Sequence, residues 1–499
     1  MIFLFIFLLF LLLLMFGSYM SRNNHFWKKR GVPYIKPTII FGNFLDVFLW
    51  RKSIGQKVLE IYKGTLEPYL GFFILDEPIL LINDLDLIES ILVKDFNQFR
   101  DRTTPKNEEF DPIGFKMSFF EKSPMWITAR RRLLPLFTSS KMKSNFEQMK
   151  NSAKRMELAI RKSMETRGDI EIKEMLNKVT VDILVNSFYS IETHSFEEKG
   201  SPFIGITKIL FNWKAIWHAL QITYLFIAPQ FKRLLRYKVL DQEVTEFFKK
   251  LTWDLLINRE EENVKRGDLI DILVDIKKSQ NVTDEYSREA DFLSSLVIAA
   301  FVGSYETTST TTSFALFELA KNIEAQKLIR EEITKVETKS GNITYENLKE
   351  LKYLERCLLE VMRLHPILPF LDRTCNEIYQ LPGTELILEK GQKVYISVSG
   401  LGHNPKYYPD PSKFDPSRFE NKNLKEKFKS TYLTFGIGPR ACPGKRFALI
   451  SMKIITANII KNFEVKLAKN QSDTLKINPI GFLAQPMGGL FLKFSDIQQ

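Results

Sequence analysis

The chain has 499 residues, 44% apolar and 26% charged, with a formal net charge of +12; this is an ordinary balance for a large globular body. Its three cysteines, Cys357, Cys375 and Cys442, are odd in number and widely spaced, which argues against a disulfide framework and fits a reducing compartment. Basic residues are spread along the chain with no nucleic-acid-reading motif, so the excess charge points to an anionic membrane surface or an acidic protein, not to nucleic acid.

The first twenty residues, MIFLFIFLLFLLLLMFGSYM, carry no charge and as a helix would span about 30 Å, one bilayer core. A cleaved signal peptide is the competing reading, but there is no basic n-region and no small-residue cleavage site. Residues 1–20 therefore read as a transmembrane anchor, and Arg22, Lys28, Lys29 and Arg30 place the remaining chain in the cytosol. Residues 21–45, with Pro33, Pro37 and Gly42, form a basic, proline-rich connector. Residues 46–499 show no second linker, repeat or low-complexity tract and read as one domain.

Within that domain, YLGFFILDEPILLIND (69–84) predicts a hairpin turning at Asp76, Glu77 and Pro78. WITARRRLLPLFTSSKMK (126–143) sets Trp126 and Arg130 one helical turn apart, a pattern a basic surface helix would share. Residues 288–321 predict a long helix too apolar in its middle for a surface, yet GSYETTSTTT (303–312) puts Glu306, Thr307 and Thr308 there. Threonines bond back to the preceding turn; a buried glutamate needs a better reason. Leu351, Leu354, Leu358 and Met362 predict a helix over 344–365 that Pro366 stops, and Glu360 and Arg363 on it make an i,i+3 pair. TELILEKGQKVYISV (384–398) predicts a hairpin turning at Lys390–Gly391, and the tail from Glu464 reads as β-rich. The fold class is mainly α with a minor β region. With 41 phenylalanines, an aromatic interior or pocket is expected.

The residues FGIGPRACPG (435–444) are costly to order and so exist to let something approach their backbone. A zinc site is weak, because the other cysteines and the histidines are scattered. A phosphate loop fails on spacing between Gly438 and Gly444, with Arg446 where Ser or Thr would hold magnesium. Gly436, Gly438 and Ala441 fit a dinucleotide fingerprint after STYLTF as a strand, with Glu464 downstream, but Pro439, Pro443 and Arg440 crowd it and too little chain remains after it. A cysteine nucleophile lacks a local base. The remaining reading is a thiolate metal ligand with Arg440 facing an anionic cofactor, a combination that haem satisfies.

The loop resembles the F-x-x-G-x-R-x-C-x-G signature of cytochrome P450 haem-thiolate enzymes at Phe435, Gly438, Arg440, Cys442 and Gly444. Further stations match: E-x-x-R at Glu360 and Arg363 with Arg418 as a structural triad partner, and the oxygen-activation motif at Gly303, Glu306 and Thr307, with Ser304 replacing its usual glycine. The resemblance covers effectively the whole chain. KKRGVPYIKP, FTSSKMK and KYYPDPSKFDPSRF look most like insect microsomal members that oxidise foreign compounds.

The resemblance implies a cytochrome P450 fold carrying haem b (iron protoporphyrin IX), with Cys442 as the iron ligand. Arg440, Trp126, Arg130, Arg373 and Arg102 would hold the propionates; Thr307 would deliver protons, with Glu306 feeding them from solvent. His403 is left as structural. Apart from the crowded G-x-G-x-x-A there is no site for NADPH or flavin, so NADPH acts only indirectly, through a flavoprotein reductase. Its docking face would draw on Arg130 to Arg132, Lys141, Lys143, Lys445 and Arg446. The pocket would draw on the 103–123 loop, residues 203–228, Leu368 to Leu371 and Gly481 to Pro486. Phe110, Phe115, Phe119, Phe120, Phe370 and Phe482 on those segments imply a lipophilic substrate: a xenobiotic, hormone or fatty acid. Trp213 and Trp217 suggest that 203–228 also dips into the endoplasmic reticulum membrane. A haem-thiolate isomerase or dehydratase needing no reductase, and a non-enzymatic haem protein, are the alternatives.

Overall fold

A single helix of 32 residues, Ala290–Lys321, organises the molecule. From Phe292 to Ala320 its side chains are buried except at Ala299, Val302, Gly303, Ser304 and Thr307, which face an internal cavity. The helices Ile172–Tyr189, Gln242–Glu262, Lys352–Leu364 and Lys445–Asn462 pack around it. A computed structural model describes residues 2–211, 216–279, 289–420 and 430–497; Trp213 and the side chain of Trp217 lie outside the described residues.

The predicted helix over 344–365 begins later, at Lys352. Thr344 and Asn347 exchange side-chain to backbone bonds of 2.7 and 3.3 Å, which hold a turn where helix was expected. The helix ends at Leu364, before Pro366, and buries Leu354, Leu358 and Val361 fully.

Among the described residues, nine strands make three small sheets. They are β1 (Tyr69–Ile74), β2 (Glu77–Ile82), β3 (Asp169–Glu171), β4 (Phe370–Thr374), β5 (Tyr379–Gln380), β6 (Ile387–Leu388), β7 (Lys393–Ser397), β8 (Phe463–Leu467) and β9 (Phe491–Asp496). The four-stranded sheet runs β1-β2-β7-β4, the three-stranded one β3-β9-β8, and β5 pairs with β6. The first hairpin turns one residue earlier than predicted: Leu75 takes the left-handed conformation at φ +54°, and Glu77 and Pro78 are already paired with Ile74 and Phe73. The second predicted hairpin is not one. The chain does turn at Gly391, φ +92°, but β6 pairs with β5 while β7 runs parallel to β2 and antiparallel to β4. The apolar Val394, Tyr395 and Ile396 are buried between two neighbours, which a two-stranded ribbon could not provide.

The connector is part of the body. Trp27 is fully buried, its indole N–H donates to Phe72 O at 3.3 Å, and a Cβ at Gly71 would lie 2.4 Å from its ring. The helix Ile2–Ser21 precedes it, with Ile2 and Phe3 76% and 90% exposed. Among the described residues no helix is long and apolar enough to cross a membrane; within Ile2–Ser21 the side chains at 9, 12 and 13 are not among those described.

Candidate functional site

The cysteine loop is a chain of turns, and STYLTF before it forms no strand, so the dinucleotide reading loses the element it requires. Gly436 and Gly438 hold φ of +67° and +74°. Amide bonds from Gly436 to Leu433 O, Ala441 to Gly438 O and Cys442 to Phe435 O, at 2.8, 3.0 and 2.7 Å, close the loop on itself. The close approach that Gly438 permits is to protein: a Cβ there would stand 2.0 Å from Leu92 O.

The loop delivers Cys442 to the start of the helix Lys445–Asn462. Burial pushes its thiol up, against the backbone N–H groups of Gly444 and Lys445 and the charges of Arg130 and Lys445, all of which favour the thiolate. The side chain is accessible, but the surface it presents faces the cavity, inside the protein.

That cavity has a volume of about 360 Å³. Eight of the nine predicted site residues line it: Cys442, Phe435, Arg440, Trp126, Arg130, Arg373, Arg102 and Thr307. Arg130 points inward beside Cys442 and so leaves the basic outer face, where Arg131, Lys143, Lys445 and Arg446 are exposed. Of the predicted pocket phenylalanines, Phe119, Phe120 and Phe482 line the cavity, joined by Phe137 and Phe211. Phe115 and Phe370 belong to the core, Phe370 stacking on Tyr395 at 5.0 Å, and Phe110 lies under Arg236.

One wall is strongly cationic. Arg440 stacks over Trp126 at 4.2 Å and donates to Glu121 O at 3.0 Å. Arg102 bonds Asp372 at 2.9 Å and lies over Phe119. Arg373, 2% exposed, donates to Asp372 O at 2.7 Å, while its Nε has no partner. Burial, with Arg102 adding to it, lowers Arg373 to about 9 and moves Arg440 down as well. Behind them Lys122, which does not itself line the cavity, donates to Arg102 O and is lowered to about 8 by burial. Asp101 and Asp372 alone do not balance four cations at this depth. Sequence reasoning missed Lys122, Asp101 and Asp372; Asp101 and Asp372, adjoining Arg102 and Arg373, were within reach.

Glu306 is the exception: it does not line the cavity. It is 2% exposed, and its Oε1 accepts from Thr310 at 2.6 Å, from Gln485 at 2.7 Å and from Lys173 at 2.9 Å. Two of these partners, Lys173 and Gln485, lie far from Glu306 in sequence. Thr307 lines the cavity while its hydroxyl donates to Gly303 O at 2.9 Å. The helix runs unbroken past Ser304, which also lines the cavity.

Behind the site, Glu360 and Arg363 make a fully buried bidentate pair at 2.7 and 2.7 Å, with Arg418 3.3 Å from Glu360. Arg363 also bonds Gly402 O and Pro411 O, fixing the segment ahead of the cysteine loop. His403 is held by Ser399 O at 2.9 Å, and burial lowers it to about 4.

The cytochrome P450 family model matches residues 32–492. The chain belongs to the cytochrome P450 family. It is 34% identical over 480 residues to cytochrome P450 6j1 of Blattella germanica, covering 96% of this chain and 94% of that one. It is 32% identical to cytochrome P450 6k1 of the same species, covering 95% and 94%, and 30% identical to cytochrome P450 6B7 of Helicoverpa armigera, again covering 95% and 94%. Membership makes this P450 an oxidoreductase of the monooxygenase family with a haem-thiolate cofactor. The residues present fit that group: a thiol facing the cavity with backbone N–H groups turned toward it, and a cationic wall with an orphaned guanidinium nitrogen suited to carboxylates.

Proposed function

We propose that this P450 is a membrane-anchored monooxygenase that inserts one oxygen atom of O₂ into a lipophilic substrate, with electrons from NADPH arriving through a separate flavoprotein reductase. The observation that carries the reading is the convergence of Cys442, Thr307 and an apolar wall of Phe119, Phe120, Phe211 and Phe482 on one cavity. When bound, haem supplies the iron that takes up O₂ and the means to cleave its O–O bond. Cys442 would hold the iron as thiolate, with the N–H groups of Gly444 and Lys445 favouring the anion against the cost of burial. Arg440, Arg373 and Arg102, with Trp126 and Arg130, hold the propionates; Phe435 flanks the thiolate. Thr307 Oγ1, donating to Gly303 O, keeps its lone pairs free to accept and pass a proton on the cavity side, with Glu306 as the acid behind it. The phenylalanines bind the substrate and exclude bulk water.

The exposed apolar side chains of Ile2–Ser21 and the basic residues after it support an anchor in the endoplasmic reticulum membrane with the body on the cytosolic face. The exposed Arg131, Lys143, Lys445 and Arg446 support docking of an acidic reductase. The test is the carbon monoxide difference spectrum of the reduced protein beside Cys442→Ser, then reductase-dependent NADPH consumption with lipophilic compounds. A red-shifted Soret band lost in the mutant, with NADPH use that needs O₂, is expected. A band with no reductase-dependent turnover would overturn the monooxygenase reading.

A further inference from the structure

We propose that Gln485 is a positioning residue that ties the filling of the cavity to the orientation of Glu306. This rests on the reading of Glu306 as the acid behind Thr307. Three donors converge on Glu306 Oε1, and they differ in what carries them. Thr310 is on the same helix, and Lys173 stands at the start of Ile172–Tyr189, where it also donates to Asn177 at 2.9 Å and Ser309 at 2.8 Å. Both are fixed to long packed elements. Gln485 instead belongs to a short loop closed by the Ile477–Pro486 bridge and the Asn478 N–H to Gln485 O bond of 2.9 Å.

The other end of that loop reaches the substrate space. Phe482 and Leu483 line the cavity, and Phe482 stacks on Phe226 at 4.5 Å. Only Ala484 separates them from Gln485, and its N–H donates to the O of Ile367, another cavity residue, at 2.8 Å. A ligand long enough to displace Phe482 or Leu483 pulls on Gln485 and withdraws one of the three donors. The carboxyl torsion of a glutamate is broad and costs little to turn, so Glu306 is released toward Thr307. A ligand too small to reach Phe482 leaves Glu306 bound as it is. The acid is thus engaged by an occupied cavity and withheld in an empty one.

The test uses the full-length haem-loaded protein with 1-methylimidazole or 1-dodecylimidazole at saturation. Both bind iron through the same nitrogen and neither has an azole N–H, so they differ only in how much of the cavity the alkyl group fills. The difference infrared spectrum between the two complexes reads the Glu306 carboxyl band, assigned by its absence in Glu306→Gln. A band shift in wild type that disappears in Gln485→Leu, and in Phe482→Ala where Gln485 itself is kept, is expected. No shift in wild type, or the same shift in both variants, overturns the proposal. In turnover, Gln485→Leu removes the restraining donor for good, so it should raise the ratio of product to peroxide about fivefold for a substrate too small to reach Phe482 and leave it unchanged for a long one, while retaining the carbon monoxide band. Wild-type turnover in Glu306→Gln would remove Glu306 from proton supply; the infrared comparison would still decide whether Gln485 positions it.

Discussion

Arg363 and Arg373 are 1% and 2% exposed, two guanidinium groups at similar depth with opposite surroundings. Arg363 spends all three nitrogens: Nε and Nη2 on Glu360, Nη1 on Gly402 O and Pro411 O. Arg373 has the backbone oxygen of Asp372, an orphaned Nε, and Arg102 and Arg440 as neighbouring charges. A buried charge with every partner in place is a finished structural element. One with a donor left over and like charges around it is waiting for an anion. The difference separates scaffold from binding site without reference to any ligand.

The largest effect should come from breaking the finished pair. Glu360→Gln leaves the buried Arg363 and the half-buried Arg418 without a carboxylate and should cost about 3–5 kcal/mol. The urea midpoint of the haem-loaded protein, or failure to accumulate folded protein, reads it. A change within experimental error would mean that Arg363 is held by its carbonyl partners alone.

Arg373→Met sharpens the comparison because its sign should depend on haem. Without haem, removing an uncompensated buried charge should stabilise the chain by about 1–4 kcal/mol. With haem, losing one charge-assisted bond to a propionate should speed haem loss to apomyoglobin by about tenfold or more. Arg363→Met should destabilise both forms. If Arg373→Met destabilised the haem-free chain as well, the cationic wall would be structural after all.

How far the sequence carries depends on where the partners lie. The Glu360–Arg363 pair and the cysteine loop are local, so spacing marked them and the family resemblance gave them their roles. The pocket segments were also legible: residues 117–120, Leu210 and Phe211, Leu368 and Leu371, and Phe482 and Leu483 all line the cavity. Which phenylalanine on a segment turns inward was not, because Phe115 and Phe370 face the core through local backbone geometry that composition does not encode. Val239 and Ala299 reach the cavity by tertiary placement alone. The partners of Glu306 illustrate the limit most clearly, since Lys173 lies far before it and Gln485 far after it in sequence. The β6–β7 segment failed for a different reason: a turn signal is local, but the choice of neighbouring strand belongs to the whole sheet.

The smallest effect, and the one that tests the cationic wall from solution, is a pH dependence. Lys122 donates to Arg102 O, and burial lowers it from an ordinary 10.5 to about 8, while Asp101 and Asp372 hold it up. Between those values the unfolded chain binds more protons than the folded one, so stability rises with pH across the window. Below pH 8 both states are protonated and the full penalty of the buried charge is present; above pH 10.5 both are neutral and it is gone. The haem-free protein should therefore show a urea midpoint that climbs from pH 8 to 10.5, and Lys122→Met should flatten that climb. Haem propionates would favour the charged lysine and raise its pKa again, so the climb should shrink in the haem-loaded protein. Equal climbs with and without haem would place Lys122 outside the reach of the propionates and leave Arg102, Arg373 and Arg440 as the whole of the anion site.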